Sequence, residues 1–296
     1  MLRSMDTLAF KQVDVFTARP FYGNPVAVVI GADALDTAAM QRIAAWTNLS
    51  ETTFLLPPSS SAADYRLRIF TPRQELPFAG HPTIGSAHAA LEAGFVRPRD
   101  GRLRQECGAG VLELSVTGEG EARRIFVKAP PARLTTLPPA RAEALAQALG
   151  APLAAGQPVT RVDVGVVWIV AAVSDAATLA RLEPDAAKLS KLSLDCDAAG
   201  ATVFARTTGK DAGEAAVHVR SFAPAHGVPE DPVCGSGNVS VGAFLREHRL
   251  LGAPAYTAAQ GMQVGRDGRV EVRVSPSAIE IGGHAVTCVD GRLRVS

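Results

Sequence analysis

The chain has 296 residues, 47% of them hydrophobic and 20% charged, which is enough apolar material for a sizeable core. Thirty basic and 29 acidic side chains leave a formal net charge of +1, so nothing marks the chain as a nucleic-acid binder. The longest apolar stretch, Val164–Val173, is far shorter than the roughly 20 residues of a membrane span. Cys107, Cys196, Cys234 and Cys288 form no CxxC pair, which fits reduced thiols in the cytoplasm better than a disulfide frame or a zinc site.

Near the N-terminus, Arg3 is followed by no long apolar segment, so no secretory signal is expected. Lys11–Phe16 and Val26–Ile30 read as strands, and Asp36–Trp46 as an amphipathic helix with Asp36 as its N-cap. Ser59–Ala63 is a polar loop. Tyr65–Phe70 alternates polar and apolar residues, as a half-buried strand does. The segment Gly80–Leu91 is built from small residues with few charges, the pattern of a buried helix. Gly110–Val116 and Arg123–Lys128 read as strands. The stretch Lys128–Pro139 carries four prolines and reads as a linker. Beyond it come a helix over Arg141–Leu149, a buried strand over Val164–Val173, a strand over Ala216–Phe222 and a second small-residue helix over Gly235–Leu245.

One pattern occurs twice. Arg68-Ile-Phe-Thr-Pro72 returns as Arg220-Ser-Phe-Ala-Pro224, 220 − 68 = 152 residues later, and a loop and a glycine-led helix follow each copy. A unit of that size implies duplicated halves rather than a solenoid of short repeats. The expected fold is α+β: two similar lobes, 1–127 and 128–296, each a curved sheet wrapped around a central helix.

The glycine-led helices carry the first chemical signal. Bare backbone N–H groups at a helix start hold anions and stabilise developing negative charge. A small carboxylate is the substrate such a pair of helices suits. A nucleotide is not expected: Gly235-Ser-Gly237 begins a dinucleotide fingerprint, but Ser240 stands where its third glycine belongs, and no phosphate-loop ending exists. With HExxH also missing, no metal and no cofactor are expected.

Four motifs then fall in register: Asn24-Pro25-Val26-Ala27-Val28, Asn48-Leu49-Ser50-Glu51-Thr52, Phe78-Ala79-Gly80-His81-Pro82, and Glu230-Asp231-Pro232-Val233-Cys234-Gly235-Ser236-Gly237. In order and spacing they resemble the signatures of the PhzF-like phenazine-biosynthesis family. The resemblance implies a diaminopimelate epimerase-like fold, with two lobes of barrel-like mixed β-sheet around a central α-helix and the active site in the cleft between them. It also implies a cofactor-independent isomerase and a homodimer.

By the same resemblance Glu51 is the acid/base carboxylate. Its place between Ile43–Trp46 and Phe54–Leu56 implies partial burial, as proton abstraction from carbon requires. His81, titrating near neutrality, would donate to the substrate or relay a proton. Asp231 would accept from a substrate ammonium or hydroxyl, and Gly80, Gly235 and Ser236 would bind the substrate. In related two-thiol epimerases a cysteine precedes the glycine at each helix start. Cys234 fills the second such place, but Ala79 stands in the first, so a two-cysteine mechanism is out. Cys234 remains a possible accessory, with a thiolate favoured at the helix N-terminus. In the family's best-known case the substrate is a dihydro-hydroxyanthranilate, a cyclic amino- and hydroxy-carboxylate. Two rival readings are an amino- or hydroxy-acid epimerase or racemase using Cys234 with a carboxylate, and a catalytically silent protein that binds a small molecule.

Overall fold

A computed structural model describes residues 7–207 and 215–295; the leader reading at Arg3 lies outside the described residues. The chain divides into two compact units, one running to Lys128 and resuming at Gly282, the other spanning Ala129–Ile281.

In the first unit β1 (Thr7–Val15) pairs antiparallel with β2 (Asn24–Ile30). Asp36 caps α1 (Thr37–Thr47), its carboxylate accepting from the Ala39 N–H at 2.7 Å. The chain then enters β3 (Thr52–Leu56), parallel to β2, and β4 (Tyr65–Phe70), antiparallel to β3. A two-residue β5 (Glu75–Leu76) precedes the helix α2 (Gly80–Glu92). After α2 come β6 (Arg102–Cys107), parallel to β4, then β7 (Gly110–Thr117) and β8 (Arg124–Lys128) as antiparallel neighbours.

The strands β1–β4 and β8 lie against α2, and every residue from His81 to Ala90 is buried. That is why the helix carries small side chains instead of a polar face. Gly85 shows how close the packing is: a Cβ there would stand 2.5 Å from the Val26 side chain and 2.8 Å from Val15. On the outer side of the sheet α1 covers Phe54 and Phe70, which meet edge to face at 5.5 Å.

The second unit follows the same order of pairings. It opens with β9 (Arg133–Thr136), α3 (Pro139–Leu149) and β10 (Thr160–Asp163), with β9 and β10 antiparallel. β11 (Val167–Ala172) is antiparallel to β10. Two short helices, α4 (Ala176–Ala180) and α5 (Ala186–Asp195), lead to β12 (Gly200–Arg206), parallel to β11. β13 (Val217–Ala223) is antiparallel to β12, and β14 (Val228–Asp231) antiparallel to β13. The second central helix, α6 (Gly235–Glu247), is buried from Gly237 to Leu245 and packs on β10, β11 and β12. It also packs on β16 (Gly268–Val274), the antiparallel neighbour of β15 (Ala255–Gln260), which itself runs parallel to β13. The run parallel, antiparallel, parallel, antiparallel through β2-β3-β4-β6-β7 is thus repeated through β11-β12-β13-β15-β16. The duplication read from the arginine repeat is a property of the backbone.

Three boundaries differ from the sequence reading. After β17 (Ile279–Gly283), the last strand, β18 (Ala285–Arg294), pairs antiparallel with β1 from Thr7↔Arg294 to Val15↔Ala285, so it belongs with the first unit and not with a lobe running 128–296. The proline-rich stretch is not simply a linker: its proline-free middle, Arg133–Thr136, keeps the N–H groups a ladder needs and forms β9. The apolar run at Val164 is a strand only from Val167, because Gly165, at φ +90°, turns the chain between β10 and β11. Among the described residues no helix is long and apolar enough to cross a membrane.

Candidate active site

Glu51 is delivered by a sharp turn. Asn48, at φ +54°, ends α1 in the left-handed conformation, its N–H bonding back to the Ala44 carbonyl. Three residues later the Glu51 carbonyl accepts from the Ala27 N–H at 3.3 Å, which starts the parallel ladder of β2 and β3. The Glu51 side chain is therefore anchored at a strand end, with 16% of its surface exposed. Phe54 and Leu55 are buried as expected, but Trp46 is 78% exposed and contributes little shelter.

What shelters Glu51 is α2. His81, in its first turn, brings Nε2 to 3.4 Å from Glu51 Oε2, with 9% of its own side chain exposed. Neither atom has a hydrogen-bond partner elsewhere. Burial pushes the His81 imidazole below its ordinary pKa, against the opposing pull of Glu51 and of a hydrogen bond to the Pro25 backbone. Proline offers only a carbonyl, so the ring donates a proton there, and with Nε2 unpartnered the donor is Nδ1. In the neutral ring Nε2 is then the acceptor nitrogen, and it stands 3.4 Å from the Glu51 carboxylate oxygen.

The same helix start is open to an anion. Its N-cap, Ala79, has no side chain able to accept from the first turn, and Pro82 has no N–H. Gly80 and His81 supply the remaining N–H groups at the head of α2. The structure therefore gathers Glu51, Gly80 and His81 into one place.

In the second unit it gathers Asp231, Cys234, Gly235 and Ser236. Here the N-cap is Cys234, whose Sγ accepts from the Gly237 N–H at 3.3 Å. The expectation of two equally bare helix starts fails at this one. The expected thiolate fails as well: burial pushes the Cys234 thiol well above its ordinary value, the nearby Asp231 charge adds to the rise, and the Gly237 N–H offsets only part of it. The thiol donates to the Asp231 carboxylate, whose Oδ1 also accepts from the Val233 N–H at 3.0 Å. Ser236 Oγ accepts from the Trp168 indole N–H at 2.9 Å.

Two features of this site escape motif reading. Trp168 and Gln260 reach it from β11 and β15, far away in sequence, although a spacing was there to find: 105 − 80 = 25 and 260 − 235 = 25, a glutamine in each half. The other is the second-unit counterpart of Glu51. Thr52 pairs with Phe70 as Ala201 pairs with Phe222, the two phenylalanines of the repeat, so the residue before each is Glu51 and Gly200. A Cβ on Gly200 would lie 1.9 Å from the Phe222 carbonyl oxygen. Backbone crowding leaves no room there for a carboxylate. Among the described residues no group of three or more His, Cys, Asp or Glu side chains is placed to hold a metal ion.

The duplicated sheet-around-helix fold is that of the epimerase-like isomerases. The chain belongs to the phenazine biosynthesis-like (PhzC-PhzF) family, whose match covers residues 13–291. It is 42% identical over 294 residues to antisense-enhancing sequence 1 of Schizosaccharomyces pombe, covering 96% of this chain and 98% of that protein. It is 32% identical over 290 residues to the trans-2,3-dihydro-3-hydroxyanthranilate isomerase of Pseudomonas aeruginosa, with 95% and 97% covered. The crystal structure of a PhzF-family protein from Bacillus anthracis superposes with a TM-score of 0.87 at 27% identity, over 98% of this chain and 99% of that one. The chain is an enzyme of the isomerase and epimerase kind.

Proposed function

We propose that the chain is a cofactor-independent isomerase that moves a proton within a small cyclic carboxylate bearing amino or hydroxyl groups. Glu51 is its acid/base group, and His81 beside it donates to the substrate or relays a proton. The observation that carries this reading is the buried Glu51–His81 pair, its Oε2 and Nε2 3.4 Å apart and without other hydrogen-bond partners, at a helix start that no side chain caps. In the reaction a C–H bond of the substrate breaks and its proton passes to Glu51. The electron pair spreads into the conjugated substrate, and the proton returns to a different carbon. The N–H groups at Gly80 and Gly235, with Ser236, hold the carboxylate and the developing negative charge. Asp231 accepts from the substrate's amino or hydroxyl group.

Expected also are a homodimer, on the family resemblance, and a cytoplasmic setting, on the scattered cysteines. The thiol-based epimerase is the weaker reading, since Ala79 replaces one thiol and Cys234 is held as a cap with its pKa raised. A silent binding protein would have no use for a buried acid/base pair.

The test is proton NMR in deuterated buffer with trans-2,3-dihydro-3-hydroxyanthranilate and a panel of cyclic and acyclic amino- and hydroxy-carboxylates. The expected result is deuterium at a substrate carbon with the native protein and none with Glu51→Gln. Exchange that persists in Glu51→Gln would overturn the assignment.

A further inference from the structure

We propose that Gln260 is the positioning residue of the second unit's part of the site, setting Asp231 and the first turn of α6 against each other. Gln260 ends β15 and is 1% exposed. Its Oε1 accepts from the Cys234 N–H at 3.2 Å and from Asn238 Nδ2 at 2.9 Å, while its Nε2 donates to the Asp231 carbonyl at 3.0 Å. One planar amide thus joins the residue before the Asp231–Cys234 turn closes to the N-cap and to the first turn of the helix. Asn238 completes the loop by donating to the Cys234 carbonyl at 2.9 Å.

The chemistry calls for an amide. The group must accept twice on one oxygen and donate from the other end, which a carboxylate or a thioether cannot do. A glutamate oxygen would face the Asp231 carbonyl and repel it.

A second anchor acts from the other side. Glu230 is held in a buried double hydrogen bond by Arg220, at 2.9 and 2.7 Å, and Arg220 also donates to the Leu179 and Leu182 carbonyls. With Glu230 fixed by its side chain and Asp231 by its carbonyl, the Asp231 carboxylate is left directed at the Val233 N–H and the Cys234 thiol. The corresponding Gln105 has no such reach. It accepts from the Tyr65 hydroxyl and donates to Thr83 Oγ1, touching neither Ala79 nor His81.

The inference rests on the proposed reading only in taking Asp231 and α6 as substrate-binding; the placement itself can be measured in the resting protein. Site-resolved alkylation of Cys234 by iodoacetamide, followed by mass spectrometry, reports how firmly the turn is closed, and Cys196, buried in the same unit, is the internal reference. Loss of the hydrogen bonds in Gln260→Met is expected to raise Cys234 alkylation by about tenfold relative to Cys196. KM for the carboxylate should rise more than kcat falls. Gln260→Asn, which keeps the amide but is too short to reach all three partners, should show the same direction with a smaller change, and it decides the matter if Gln260→Met does not fold. An unchanged ratio, or equal increases at both cysteines, would overturn the proposal. An active Glu51→Gln would overturn the reaction assignment and leave this ratio untouched.

Discussion

The heads of α2 and α6 are the same structural device put to different use. Both helices start with glycine, both are buried nearly throughout, and each unit places an Arg–Glu pair beside its sheet, Arg68 with Glu75 and Arg220 with Glu230. At α2 no side chain caps the first turn, and the neighbouring strand end delivers a carboxylate against a histidine. At α6 a thiol caps the first turn, an indole takes up the serine hydroxyl, and a glutamine staples the turn. The duplicated backbone supplies two equivalent positions ahead of these strands, but only one has room for a carboxylate. The two helix starts differ most in what the adjacent strand can present to them.

The sharpest way to break that comparison is to remove the carboxylate from the one unit that has it at this position. Glu51→Gln keeps the size and hydrogen-bonding reach of the side chain and loses the basic oxygen. Turnover is expected to fall by about 10²–10⁴-fold, the usual contribution of general acid–base catalysis. Binding of the carboxylate, followed by calorimetry with the variant, should change little if backbone N–H groups hold the anion as proposed. Comparable turnover in Glu51→Gln would place the chemistry elsewhere.

Next in size is the counterpart position. Gly200→Ala adds a methyl group 1.9 Å from the Phe222 carbonyl, a backbone atom that cannot move aside without disturbing the pairing of β12 and β13. Overpacking of this kind is expected to cost about 3 kcal/mol, read as a fall in the urea midpoint. An unchanged midpoint would mean that the second unit could have carried a carboxylate and that crowding is not why it lacks one.

Much of this contrast was legible in the sequence, and the rest was hidden for identifiable reasons. Asp36 announced α1 because an N-cap acts locally, and the small residues after Gly80 and Gly235 announced buried helices because burial on all sides leaves no polar face. Glu51, His81, Asp231 and the residues around Cys234 were visible as motifs. Gln260 was not, because its role depends on the parallel pairing of β13 with β15, a long-range register that no local pattern encodes. Gly200 was not, because its meaning lies in a backbone clash. The Cys234 thiol was misjudged because the helix-start effect was weighed without the burial that outweighs it. Trp46 misled in the opposite way, as an aromatic residue at a helix end that faces outward.

A smaller effect is expected at the cap of α6. Cys234→Ala removes the acceptor for the Gly237 N–H and should lower stability by about 1 kcal/mol, the usual worth of an N-cap. Cys234→Ser supplies a better cap atom and should recover most of that in thermal melts, with turnover within about tenfold of the native enzyme, as fits a residue outside the general acid–base step. A dead Cys234→Ser beside an active Glu51→Gln would reverse the assignment of chemistry to the first unit and promote the thiol-based epimerase.

The smallest expected difference lies at the far ends of the two helices. On α2, burial pushes His88 down to about 4, with Arg123 and Lys11 adding to the shift and Glu92 opposing it, while Thr287 sits 3.2 Å from the ring. Glu92 is also held below its ordinary value: burial would raise it, but hydrogen bonds from Thr287 and Lys11 and the nearby positive charges outweigh that. A buried histidine with a lowered pKa binds fewer protons than the unfolded chain, so its contribution is complete above about pH 6.5 and is lost as pH falls toward about 4. Glu92 acts in the same direction, its share being lost below its unfolded value. On α6, nothing from Gly235 to Leu245 carries a titratable side chain. Acid should therefore loosen α2 before α6. Amide hydrogen exchange, corrected for the intrinsic rate, should lose protection in α2 between about pH 7 and about pH 5 while α6 holds its own. His88→Gln should remove its part of the dependence, leaving that of His81. Equal loss in both helices, or none in α2, would show that the two units share one acid response despite their different interiors.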